Sequence, residues 1–407
     1  MPVGEEGETG GRLAEIHRRL HAKPRPPRYR PVTVAEALGW LRRSLEASIL
    51  LGLYGFLWGD EEAAAGIVDT EREIDEVAYQ LLAHVAIAVG RSLEGATHAA
   101  PIYTYVMAVD KVMDALKDLA SLTLRGHRLS PGTRREILAL SDEPVARVSG
   151  LQGVTVGQLL EEYGVDVLAV KRGSGGWLLS PGNEVEIGEG DTAYVRGAKE
   201  AVNELLERTG HRPLPDREEG PLRDIPASIE MLLVMNELAH YQLRAQDAGL
   251  AEEILDLEMF MDELRVRNSQ RVLRLGLGLE DEFLLLSLVT RIEDVSDALT
   301  YIIVMPAEEE YREVLSTVTE AAGERIALYT ARARVALVAL AEALDDIGAR
   351  ALAARKRGEW VALTPYNIEA LVLEPGDAVL VEYDDRVRRR AERLLHGLGL
   401  APAGRTA

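Results

Sequence analysis

The chain has 407 residues, 47% of them apolar, enough for two to four domains with cores of their own. It contains no cysteine, which excludes disulfide frameworks, thiol nucleophiles and cysteine–metal clusters. A formal net charge of −21 argues against nucleic acid and anionic lipid surfaces as partners.

Residues 1–32 read as a tail: glycine- and glutamate-rich to residue 11, a helical turn or two over 12–21, then a basic, proline-rich spacer. His17 and His21 stand at helical metal spacing, but they occur once, in this tail, and read as a solvated face. No signal-peptide core precedes them. The longest apolar run, 49–58, is too short to span a bilayer and reads as a buried helix segment. No membrane span and a cytoplasmic location are therefore expected.

Residues 33–128 show helical periodicity. One helix over 34–58 opens at Thr33 as N-cap, a second covers 61–89, and a third over 101–124 opens with Pro101 in its first turn. Short links predict an antiparallel three-helix bundle. Over 140–210 the texture turns β-rich, with short strands at 145–148, 165–170, 177–179 and 192–195. Amphipathic helices at 154–163 and 199–208 complete a β-α-β-β-β-α unit. A proline- and charge-rich linker over 211–223 follows. Residues 224–318 again read as three helices, and 319–400 again as β-α-β-β-β-α.

The chain repeats itself. Asp69, Glu71 and Asp75 recur as Asp256, Glu258 and Asp262, offset by 187 (256 − 69). Asp110-Lys-Val-Met-Asp114-Ala-Leu recurs as Glu293-Asp-Val-Ser-Asp297-Ala-Leu, offset by 183 (297 − 114). Val-Lys-Arg-Gly at 170–173 returns as Arg-Lys-Arg-Gly at 355–358, offset by 185 (358 − 173). Tyr54 returns as Tyr241, Trp177 as Trp360, Ser180-Pro181 as Thr364-Pro365, and Gly190-Asp191 as Gly376-Asp377. A repeat this long is a duplicated two-part module with its length changes in loops.

The acidic pairs Glu71/Asp75, Asp110/Asp114, Glu258/Asp262 and Glu293/Asp297 each lie on one helix face. Two pairs on facing helices would offer four carboxylates to a hard divalent cation (Mg, Mn, Ca) or to Fe, in preference to structural zinc. The bland alternative is a solvated face or a partner for Lys and Arg, because 67 acids make such pairs common; recurrence in both modules strengthens the metal reading. Lys171 and Arg172, with Lys356 and Arg357, end strands beside loops, and Arg can hold phosphate bidentately. Asn183 and its repeat Asn367 would add hydrogen bonds. The alternative there is a basic strand end that discourages edge pairing. His84 reads as a core histidine, Tyr54 and Tyr241 as bundle packing, Trp177 and Trp360 as sheet cover. No nucleophile arrangement is visible, so no enzyme is expected. Gly173-Ser-Gly-Gly176 sits between two short strands as a hairpin loop, so no NAD is expected.

The helical halves resemble the PhoU family, whose three-helix bundles carry Glu/Asp-x-x-x-Asp motifs that hold metal clusters in some members. Arg291-Ile-Glu-Asp-Val-Ser-Asp-Ala-Leu299 is similar to that family's C-terminal helix signature, and Asp110 stands in for Glu in the first half. The α+β halves resemble the C-terminal subdomain of RCK/TrkA proteins, which regulate potassium channels and transporters. The residues are Val154-Thr-Val-Gly-Gln-Leu-Leu160, Val165-Asp-Val-Leu-Ala-Val-Lys-Arg-Gly173, Ser180-Pro181 and Gly190-Asp-Thr-Ala-Tyr-Val-Arg-Gly197. The second copy matches more weakly, with Asp384 and Asp385 where the first has Gly197. The Gly-x-Gly-x-x-Gly turn of the Rossmann subdomain that usually accompanies RCK units is absent from both copies.

The resemblance implies a multidomain α and α+β protein: two PhoU-like bundles alternating with two RCK-C (TrkA-C) subdomains, as in archaeal PhoU–TrkA-C fusions. It implies a cytosolic sensor acting on a separately encoded potassium channel or transporter. RCK-C units usually pair, here within the chain or, by preference, with a second chain as a homodimer. The basic strand ends would lie near that interface, where some relatives bind a cyclic dinucleotide or other nucleotide. The alternative is a PhoU-like phosphate-transport or metal-binding regulator, with a carboxylate-metal enzyme as a weaker third.

Overall fold

The computed structural model describes residues 32–90, 93–216, 220–303 and 324–403, with Ile16 and Leu20. The expectations placed on the rest of the tail, His17 and His21 among them, and on residues 304–323 lie outside the described residues.

Helix α1 (Val34–Trp58) opens with a capping box: Thr33 Oγ1 accepts from the Glu36 N–H, and the Glu36 carboxylate accepts from the Thr33 N–H. Helix α2 (Glu61–Val89) is capped by Asp60, the short α3 (Leu93–His98) follows, and α4 (Ala100–Leu124) carries Pro101 in its first turn. The second trio is α8 (Asp224–Ala245), α9 (Ala248–Leu275) and α10 (Leu279–Ile303).

The two trios share one continuous core rather than standing as separate bundles. Helices α4 and α10 run antiparallel: Lys111 Nζ lies 5.1 Å from the Tyr301 ring centre, and Arg291 meets Asp118 at 3.4 Å. The reason is visible in α1, where every residue from Ala47 to Leu57 is buried. A helix apolar on all sides needs cover on all sides, and one three-helix bundle supplies only part of it.

Between the trios lie α5 (Pro131–Ala139), β1 (Val145–Ser149), β2 (Val154–Thr155), α6 (Val156–Tyr163), β3 (Asp166–Lys171), β4 (Trp177–Leu179), β5 (Glu186–Ile187), β6 (Thr192–Arg196) and α7 (Lys199–Arg208). The sheet order is β1-β6-β3-β4, all antiparallel, and β2 pairs with β5 apart from it. After α10 come β7 (Glu324–Ala331), β8 (Val335–Ala336), α11 (Leu337–Asp345), β9 (Arg350–Lys356), β10 (Glu359–Ala362), β11 (Val372–Leu373), β12 (Ala378–Asp384), α12 (Arg388–Gly397) and β13 (Leu400–Pro402). Read from β7, the second sheet runs β7-β12-β9-β10, the order of the first, with β13 added outside β7. Helices α3 and α5, strand β13 and the small ladders β2–β5 and β8–β11 add to the expected elements; each is too short to show a period in the sequence.

The two sheets share an irregularity. Val167 pairs with Val195 and Ala169 with Tyr194, so Leu168 is skipped; in the second sheet Ala351 pairs with Val381 and Ala353 with Leu380, so Leu352 is skipped. Both bulged leucines are buried in the helical core rather than in their own sheets' cores. Leu168 O accepts from the Ser180 N–H at 2.8 Å, and Leu352 O from the Leu363 N–H at 2.9 Å. The tryptophans dock likewise on helix glycines: a β-carbon on Gly66 would lie 2.8 Å from Trp177, and one on Gly249 3.4 Å from Trp360.

The stretch read as a linker is packed where it is described. Leu214 and Leu222 are buried, and the Leu214 N–H donates to Asn203 Oδ1. His84 is only half-buried on α2; the core histidine is His240 on α8.

Candidate functional site between the two sheets

The two sheets meet inside one chain. Gly164, the left-handed C-cap of α6, lies against Gly348, and Leu160 of α6 is buried in the core of the second sheet. The two sheets thus pair within the chain, one of the two arrangements the sequence leaves open.

At this seam the start of β3, the end of β6, the start of β9 and the end of β12 surround a cavity of about 80 Å³ beside α1. It is lined by charge. Arg196 reaches Glu46 of α1 at 3.1 Å and Glu143 at 3.0 Å, and Arg350 of β9 donates to the same Glu143, its Nε at 3.3 Å. Glu143 therefore bridges an arginine of each sheet. Deeper in, Arg42 of α1 is fully buried and meets Glu237 of α8 at 2.6 Å and Glu382 of β12 at 3.9 Å. Asn236 donates to Glu237, His240 Nδ1 lies 2.8 Å from Asn236 O, and Tyr105 OH lies 3.2 Å from His240 Nε2. Burial lowers His240 to about 4, so it is neutral.

Carboxylates outnumber arginines at the seam, and their titration shows it. Burial, then repulsion from Glu237, raises Glu46 to about 7 against the pull of Arg196 and Arg42. Burial, then Glu143, raises Asp345 to about 8, and burial raises Asp166. Glu237 moves the other way: burial alone would raise it, but Arg42 holds it below the usual carboxylate range. The seam can therefore take up protons near neutrality, and each uptake changes the charge between the sheets.

Two pockets of about 320 Å³ each flank this cavity at equivalent places in the repeat. The first is lined by Arg43, Glu46, Asp166, Asn183, Asp384 and Arg386. Asp384 grips Arg386 with two contacts, at 2.9 and 3.1 Å, which brings the second copy onto the 180–184 loop of the first. Arg386 Nη1 is buried without a hydrogen-bond acceptor among the described residues. The second pocket presents Leu233, Val234, Leu363 and Ile368 and is more apolar. Asp384, where the second copy diverges from the motif, thus adds a carboxylate and its arginine to the lining of the first pocket.

Of the predicted ligand residues, Asn183 lines this site; the others do not. Lys171 pairs with Glu62 of α2, and Arg172 with Asp191 and, at 2.9 Å, the Glu186 carbonyl. Lys356 ends β9 and Arg357 opens the turn after it, where the Arg357 N–H donates to Asp377 Oδ1 at 3.1 Å. Asn367 is consumed by its own loop, accepting from the Thr364 N–H and donating to Ala362 O. The seam uses the Asp166 and Arg350 ends of β3 and β9, and the basic pairs sit at the opposite ends. A linear motif marks a strand but not which end of it meets a neighbour.

The acidic pairs do come together, module by module. Burial, then Glu71 and Asp110, raises Asp75 to about 6; burial, then Asp114, raises Asp110; Lys117 pairs with Glu71. On the second trio burial, then Asp297, raises Glu258 and Glu293 to about 7, and Arg265 lies 3.5 Å from Glu293 and 3.4 Å from Asp262. Lys117 and Lys111 offset part of the repulsion in the first cluster, and Arg265 does so in the second. Among the described residues no group of three or more His, Cys, Asp or Glu side chains is placed to hold a metal ion.

Arg42, Glu46, Glu143, Asp166, Arg196, Glu237, His240 and Arg350 were not singled out from sequence. A signal existed for some: Arg42, Asn236, Glu237 and His240 interrupt otherwise apolar helices. For Glu143 and Arg196 there was none, because their hydrogen-bond partners stand 53 to 207 residues away along the chain. No curated protein matches this chain. The family model of the TrkA-C domain matches residues 144–210, the stretch that holds β1 to β6 with α6 and α7.

Proposed function

We propose that this chain is a cytosolic, non-enzymatic regulator of potassium (cation) transport that acts on a separately encoded channel or transporter. The observation that carries the reading is the TrkA-C match over residues 144–210, a domain associated with regulation of potassium transport. Support comes from the second sheet of the same strand order, seated against the first across a charged seam. No helix among the described residues is long and apolar enough to cross a membrane, so in this reading another chain supplies the pore.

The working part is the seam. A ligand or ion that changes its charge changes the spacing of the sheets, and the bulged Leu168 and Leu352 carry that change into the shared helical core. A cyclic dinucleotide or other nucleotide is the ligand class the resemblance implies, with Arg43, Asn183 and Arg386 as donors lining the first flanking pocket. Affinity capture from native membranes tests the partner class: a potassium channel or transporter supports the proposal. Calorimetry with cyclic dinucleotides and adenine nucleotides, on the native chain and on Arg386→Ala, tests the ligand class.

The second reading, a PhoU-like regulator of phosphate transport or a metal-binding protein, is favoured by the acidic clusters at repeated positions. Recovery of a phosphate transporter, or stoichiometric metal lost on Asp114→Asn and Asp297→Asn, would reverse the order of the two.

A further inference from the structure

Helix α9 is amphipathic twice. Its inward face buries Leu250, Ile254, Leu257, Met261, Leu264, Asn268 and Val272. On the opposite side Leu255, Met259, Val266 and Leu273 are 42%, 66%, 45% and 60% exposed. At 100° per residue these four fall within about 40° of one another, and the stripe spans about 27 Å. Met259, Val266 and Leu273 repeat at heptad spacing, with Leu255, Asp262 and Ser269 at the intervening positions. Isolated exposed leucines are ordinary, but an apolar seam at coiled-coil spacing on one helix marks an interaction surface.

The charges of the same helix say what fits it. Its acids, Glu252, Glu253, Asp256, Glu258, Asp262 and Glu263, all precede Leu264, and its arginines, Arg265, Arg267, Arg271 and Arg274, all follow. Arg267 and Arg271 also hold Asp224, at 3.0 and 2.9 Å, without leaving the basic half. Such a helix complements itself only when a second copy lies antiparallel. Centred on Val266, that pairing sets Val266 against itself and Met259 against Leu273 of the second copy, and along one side of the stripe it brings Asp256 near Arg274 and Glu263 near Arg267. The net charge of −21 opposes association at long range, but at physiological salt the field decays over about 8 Å, so the charges on α9 dominate at contact.

We infer that the chain forms a twofold dimer through the outward stripe of α9, packed antiparallel against the same stripe of a second copy. The dimer contact then lies on the helical body, and the TrkA-C-like sheets, already paired within each chain, are left outside it. A single helix pair sits at the small end of specific interfaces, below about 1,200 Å² in total, so the dissociation constant should be on the order of micromolar.

The absence of cysteine makes the test direct. Val266→Cys puts the single thiol of each chain at the twofold axis, and mild oxidation should cross-link it into a covalent dimer. Tyr79→Cys, exposed on α2 away from the stripe, should stay monomeric under the same conditions. Sedimentation across a micromolar concentration series should show a monomer–dimer equilibrium, weakened at least tenfold in Met259→Glu/Val266→Glu, with unchanged circular dichroism reporting an intact fold. A native chain that stays monomeric to about 100 micromolar would overturn the inference. So would a dimer that survives both glutamates, or a Val266→Cys thiol that resists cross-linking because another part of the chain or a different protein covers it.

Discussion

Gly164 and Gly348 meet across the seam of the two sheets, both in the left-handed conformation at φ +68°. A β-carbon on Gly348 would stand 2.7 Å from Leu160 Cδ1 and 3.4 Å from Gly164 O, and one on Gly164 would lie 3.3 Å from Asp346 O. Gly348→Ala should therefore cost about 1–2 kcal/mol for conformation, with about 1–3 kcal/mol more for overpacking. Gly376, at φ +98° with nothing within 4 Å, isolates the first part. Urea unfolding should show Gly348→Ala clearly less stable than Gly376→Ala; equal losses would mean the seam is slack.

Arg42 and Glu237 form the deepest ion pair of the seam. Replacing Arg42 by Leu leaves a buried carboxylate without its cation, which should cost about 3–5 kcal/mol. The double variant Arg42→Leu/Glu237→Leu should recover part of that loss, because Glu237 then needs no neutralisation while Glu382 still lacks Arg42. A double variant as unstable as the single one would place the cost in lost packing.

The seam also sets a pH dependence. Glu46 titrates at about 7 in the fold against its ordinary 4.5, and Asp345 at about 8 against 3.8. Both are raised carboxylates, so between those values the folded chain holds protons that the unfolded chain has released. Stability should then fall as pH rises from about 5 to about 8. Urea midpoints at the two pH values check this: the decline should be smaller in Glu46→Gln/Asp345→Asn than in the native chain.

The first sheet docks on α2 through Trp177 and Gly66. Gly66→Val should push the indole out of its seat, with a red-shifted tryptophan emission and a loss of about 1–3 kcal/mol. Replacing Trp177 by Leu in that background should return part of the stability, since the smaller side chain leaves room for the added methyls. No return would locate the strain elsewhere on α2.

Much of this molecule was legible in its sequence. Helical period and caps such as Thr33 and Pro101 placed α1, α2 and α4, and β-rich runs bounded by Gly and Pro placed the main strands, because both signals are local. The repeat set equivalent residues side by side before any coordinates: Leu168 and Leu352 bulge alike, and Trp177 and Trp360 seat alike. Only the tertiary structure decided what the copies do to each other. It fused the helices into one core, turned the sheets onto a shared seam, and gathered Glu46, Glu143, Arg196 and Arg350 from distant stretches. It also put Lys171 and Lys356 at the strand ends facing away from that seam. Periodicity reports which face of an element is buried, whereas a site between elements depends on which ends meet, and that is set by packing over the whole chain.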